Sequence, residues 1–89
     1  MKMFADRLIA GDAIKRIKSV TQNGDRVLGV DGFRVTHEGF VAVLDLIIDL
    51  SAKTISRERA AAEAIEFVVS RGANGVVFEA VVEHRANGG

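Results

Sequence analysis

The chain has 89 residues, 48% of them hydrophobic, with twelve Lys/Arg against twelve Asp/Glu and no cysteine, proline, tryptophan or tyrosine. This length bounds it to one domain, the apolar fraction excludes intrinsic disorder, and the missing cysteine excludes disulfides, thiolate zinc sites and cysteine nucleophiles. A net charge of zero argues against a dominant pull toward nucleic acid or anionic membrane, and the longest apolar run is short of the ~20 residues of a membrane helix.

The opening stretch MKMFADRLIAG reads as a short helix anchored by Phe4, Leu8 and Ile9, ended by Gly11 and Asp12. Asp6 and Arg7 precede any sustained apolar region, unlike a secretory signal, so a cytoplasmic protein is expected.

AIKRIKSVTQNGDRVLGV follows. Asn23-Gly24 between two β-favouring runs is a strong hairpin signal, because a type I′ turn needs φ > 0 at both central residues. With those two as the loop, Val20 faces Val27, Ile17 faces Val30 and Arg16 faces Asp31, a stabilising set of cross-strand pairs. Asp31-Gly32 and His37-Glu38-Gly39 are further turn signals that delimit a short strand at 33–36.

The run FVAVLDLIIDL, residues 40–50, fits both periods. As a helix it would place Glu38, Asp45 and Asp49 in one arc, with Asp45 and Asp49 close enough to hold a hard cation or raise one another's pKa. As a strand it would separate those aspartates by roughly 13 Å. Its apolar face would then be Phe40, Ala42, Leu44, Leu46, Ile48 and Leu50, and its mixed face Val41, Val43, Asp45, Ile47 and Asp49. The β-branched content, the cost of Gly39 in a first helical turn and the preceding hairpin-like Glu-Gly favour the strand.

SAKTISRERAAAEAIEFVVSRGANG is the clearest helix. Thr54 or Ser56 caps it, Glu58 suits its positive end, and Arg59, Glu63, Glu66 and Ser70 form a polar face opposite Ile65, Val68 and Val69. Ala60, Ala61 and Ala64 allow close packing, and Gly72 suits a left-handed position past the helix end. VVFEAVVEHR then alternates as a half-buried strand, with Val76, Phe78, Ala80 and Val82 on one side and His84 at the rim. Residues 86–89 are expected to fray.

The expected fold is a single α+β domain over residues 1–85. It has an antiparallel β-meander of about four strands followed by a strand–helix–strand unit, one long helix packed on the sheet and a short N-terminal helix. The helix covers the all-apolar face of 40–50. The other face, Val41, Val43, Asp45, Ile47 and Asp49, is too apolar for water and reads as an interface.

On this reading the protein is a non-enzymatic association module, a homodimer or a subunit of a larger assembly, with no cofactor. A second reading is a small-molecule-binding domain or small enzyme, with His37 as a base beside Asp45 or Arg34. The two histidines have no metal-ligand spacing, and the glycines match neither a dinucleotide fingerprint nor a P-loop. Residues 1–37 hold seven Lys/Arg against four Asp, and 38–89 hold five against eight acids. A third reading therefore puts nucleic acid on Lys15, Arg16 and Lys18, although strand alternation would divide them between two faces.

Overall fold

The computed structural model describes residues 7–84. Five elements follow in order: α1 (Ala10–Gln22), β1 (Arg26–Thr36), β2 (Gly39–Asp49), α2 (Arg57–Arg71) and β3 (Val76–Glu83). The fold is α+β, with a three-stranded antiparallel sheet of order β2-β1-β3 and both helices packed on it. Strands β2 and β3 run in the same direction on either side of β1, so α2 carries the chain across the central strand.

The expected four-strand meander is corrected at its first step. No hairpin forms around Asn23-Gly24; the residues before it are α1. Ala13, Ile17 and Val20 recur at helical spacing and are all buried, and this tertiary packing overrides the β-favouring composition. The Asn-Gly signal serves a different purpose. Asn23 caps the helix and Gly24 takes φ +92° just beyond it. The Gly24 N–H donates to the Thr21 carbonyl and the Asp25 N–H to the Val20 carbonyl, both at 3.0 Å. These are the two bonds of a Schellman helix stop. A type I′ turn and this stop both need a glycine at positive φ, so the same residues announce either.

The short N-terminal helix is also revised. Leu8 is extended and pairs with Phe78 through two 2.7 Å backbone hydrogen bonds, and Gly11 and Asp12 start α1 instead of ending a helix. The part of that expectation on residues 1–6 lies outside the described residues, as does the tail at 86–89.

From β1 onward the expectations hold more closely. The His37-Glu38 turn joins β1 to β2, with Thr36 opposite Gly39 at φ +121°. Residues 39–49 are a strand, and β3 follows the alternation of its sequence. Ser56 caps α2, its side chain accepting from the Arg59 N–H at 3.0 Å. Gly72 ends α2 in an extended conformation, φ −63° and ψ 136°, so it is not the left-handed residue; Gly75, at φ +79°, is.

One departure reorganises the sheet. Asp31-Gly32 is not a turn but part of β1, where the register with β2 breaks. Asp31 pairs with Ile47, yet Phe33 pairs with Ala42. Gly32 alone therefore faces residues 43–46 of β2. The surplus is odd, so side-chain alternation along β2 inverts across it. The core lies between the helices and one sheet face, with Phe78, Ile17, Leu50, Val27, Val30 and Val68 fully buried. Ala60, Ala61 and Ala64 are buried too and let α2 approach the sheet closely. Of the apolar set expected under the helix, Leu46, Ile48 and Leu50 join the core; Phe40 and Leu44 remain exposed.

Candidate functional site

Among the described residues, no helix packs on the second face of the sheet. The cross-strand register places residues there in rows. Asp49, Gly29 and Val81 form one row; Ile47, Asp31 and Glu79 the next; Ala42, Phe33 and Val77 the third; Phe40 and Val35 the last. The exposed apolar residues of this face include Val35 (47%), Phe40 (50%), Ile47 (37%) and Val81 (38%). Apolar side chains are thus accessible on all three strands of one face, with Asp31 and Glu79 among them. Apolar exposure gathered on one face marks a binding surface more often than scattered exposure does.

Arg7 ties one end of the patch together. Pairing of Leu8 with Phe78 sets Arg7 beside Glu79, and its Nε lies 3.9 Å from a Glu79 carboxylate oxygen. Its guanidinium carbon stands 4.5 Å from the Phe33 ring centre and 4.8 Å from that of Phe40. The two rings meet edge to face at 6.5 Å, a favourable arrangement of their quadrupoles.

The other end is acidic. Asp31 lies directly opposite Glu79 across the β1–β3 pair, a like-charge juxtaposition that disfavours the ladder. Asp49 accepts hydrogen bonds from the Ser51 hydroxyl at 2.6 Å and the Ser51 N–H at 2.9 Å. These bonds, the hydroxyl's foremost, hold its carboxyl below the usual carboxylate value.

The residues singled out from the sequence are distributed by the bulge. Ile47 and Asp49 lie on the open face. Val41 pairs with the exposed Arg34 and shares its side of the sheet, the opposite one. Val43 packs against the core, and Asp45 is exposed within the bulge beside Leu44, which is 86% exposed. His37 is exposed in the β1–β2 turn. Three open clefts of about 560, 300 and 400 Å³ are lined by none of His37, Asp45 and Arg34. Among the described residues no group of three or more His, Asp or Glu is placed to hold a metal ion, and no helix is long and apolar enough to cross a membrane. His84 is exposed, its Nδ1 3.1 Å from an Asp25 carboxylate oxygen.

Lys15, Arg16 and Lys18 all project from the exposed side of α1. Strand alternation would have divided them; the helix gathers them within about 160° of arc.

Sequence reasoning missed Arg7, Asp31, Phe33, Val35 and Phe40 as members of one surface. The available signal was Gly32, since a glycine inside a strand pattern marks a bulge or a close backbone approach. Comparison with protein-family models, with curated proteins and with solved structures found no match to the chain.

Proposed function

We propose that this protein is an association module that works by docking its open sheet face onto another protein surface, as a subunit of a homo- or hetero-oligomer. The observation that carries this reading is the exposure of Phe40, Val35, Ile47 and Val81 on one sheet face. Two-layer domains keep one sheet face in water when that face is polar; this one is apolar over much of its length. A domain of this size has a modest stability margin, and covering the face adds to it. The test is the paired variant Phe40→Ser/Ile47→Ser. It should fold with an unchanged far-UV circular dichroism spectrum, bind less of an apolar fluorescent dye than the wild type, and lose any concentration-dependent rise in mass seen by light scattering. A wild type that binds no dye and stays monomeric, with the variant indistinguishable from it, would refute the reading.

One observation favours a second reading. Lys15, Arg16 and Lys18 share an exposed helix surface, and none has an ion pair among the described residues. A polyanion partner would show salt-dependent binding that weakens when the three are neutralised together; binding insensitive to salt would exclude it.

A further inference from the structure

We infer that the occupant of the open face is a protein segment combining apolar side chains with net positive charge, in preference to a second copy of this chain. The inference rests on the association reading and adds the chemistry of the partner. The charges of the face decide it. Among the described residues, Arg7, Asp31, Asp49 and Glu79 lie in or beside these rows, and Arg7 is engaged by Glu79 and the two phenylalanine rings. The next row outward pairs Arg26 with Glu83 and adds no net charge. Asp31 has no hydrogen bond or ion pair among the described residues, yet it sits between Ile47 and Glu79 in the middle of the sheet. Its carboxylate and that of Asp49 would both lose water when the face is covered, and a carboxylate desolvated without a cation is strongly disfavoured.

A second copy brings the same excess of acid. Stacked with equivalent rows together, it sets Asp31 against Asp31 and Glu79 against Ile47. Stacked with the rows reversed, it sets acids against the Phe33 and Phe40 rings and the Arg7 that Glu79 already engages, leaving no apolar cover for the rings. Neither arrangement neutralises Asp31 and also covers the aromatic end with apolar groups. A segment bearing Lys or Arg does both. Asp31 and Phe33 are two residues apart on β1, roughly 7 Å along the strand. That matches side chains one turn apart on a helix, ~6 Å, or alternate residues of an extended chain. Leucine-like groups beside Arg7, over Val35 and the part of Phe40 that stays exposed, then bring a cation over Asp31, with Asp49 one row further on.

The test uses the full chain and a fluorescent synthetic amphipathic helix of leucine and lysine, with its leucine–glutamate counterpart as control, read by anisotropy at near-physiological salt. The leucine–lysine peptide should bind saturably and the glutamate peptide should not. Asp31→Asn/Asp49→Asn should weaken binding by roughly tenfold or more, as should Phe40→Ser. Glu58→Gln/Glu66→Gln, which removes two exposed acids of α2, should leave it unchanged. Asp31→Asn alone should still weaken binding in case the pair disturbs the turn at Ser51. Equal binding of both peptides, no saturable binding, or equal losses from the α2 pair would overturn the inference. So would a wild-type dimer that Ile47→Glu dissociates and Asp31→Asn leaves intact; that outcome would sustain the association reading and remove only the basic partner.

Discussion

Leu46 lies directly against the bare backbone of Gly32. A Cβ on that glycine would stand 2.7 Å from the Leu46 carbonyl oxygen and overlap the Leu46 side chain. This contact lets four residues of β2 pass opposite one residue of β1, and Leu46 is buried as a result. Gly32→Ala is therefore an overpacking change against backbone, expected to cost about 1–3 kcal/mol. Gly11→Ala is the opposite case. Nothing lies within 4 Å of the added methyl, and alanine in a helical turn gains up to about 1 kcal/mol over glycine. Urea melts should move the midpoint down for the first and up for the second at similar slope.

Arg26 holds down the connection between β2 and α2. Its Nη2 donates to the Ile55 carbonyl at 2.7 Å, with the Lys53 carbonyl at 3.5 Å. Arg26→Met keeps most of the alkyl length but leaves the partly buried Ile55 oxygen without its donor, at a cost of about 1–2 kcal/mol. Lysine should restore only part of this, since a single ammonium lacks the planar fork. Limited proteolysis should find residues 51–56 cut faster in the methionine variant; equal cutting rates would show that the arginine does not secure this segment.

The same connection makes stability depend on pH. Glu63 accepts from Lys53 Nζ and from Arg59 Nε, each at 3.1 Å. Lys53 foremost, then Arg59, lowers its pKa from the ordinary 4.5. A carboxylate whose pKa is lower in the folded state contributes stability above its unfolded value, and loses it as pH falls through the folded one. Wild type should therefore exceed Glu63→Gln in stability at neutral pH, with the gap narrowing as pH drops below about 4.5. Asp49→Asn should behave likewise below about 3.8. Asp49 is exposed and Glu63 half-buried with exposed cation partners, so molar salt should shrink the Glu63 gap. A gap that widens in acid would contradict the assignment.

Local chemistry explains which parts of the fold were legible. Ser56, the alanine-rich run after it and the alternation from Val76 agree on one structure each, and these elements form as read. The strand at 40–50 was legible from its β-branched residues and from the turn at His37-Glu38. Its faces were not, because alternation is counted from one end and a bulge is invisible to counting. Three surplus residues opposite Gly32 move Phe40 and Ala42 to the open face and Val41 away from it. The surface expected from Val41, Val43 and Ile47 thus became one built on Phe40, Ile47, Phe33 and Val35. Arg7 was illegible for another reason: its place beside Glu79 depends on a single bridge, Leu8 to Phe78, between segments 70 residues apart in sequence.

Asn23 and Gly24 offer the sharpest test of how α1 ends. In a type I′ hairpin turn both residues need φ > 0, so alanine at either position is strained. In the Schellman stop only Gly24 does: its φ is +92°, whereas Asn23 sits at φ −82° and ψ 0°, which any residue adopts. Asn23→Ala should therefore change stability by no more than about 0.5 kcal/mol. Gly24→Ala should cost roughly 1–2 kcal/mol, the penalty of a Cβ in the left-handed region. Urea melts of the two variants separate the cases, since comparable losses at both positions would demand a hairpin. The asymmetry also has a structural consequence. Weakening the stop frays the last turn of α1, which contains Val20, a core residue only 5% exposed. Hydrogen exchange in Gly24→Ala should accordingly quicken at the Asp25 amide, which donates to Val20, while the amides of α2 keep their protection relative to the global stability.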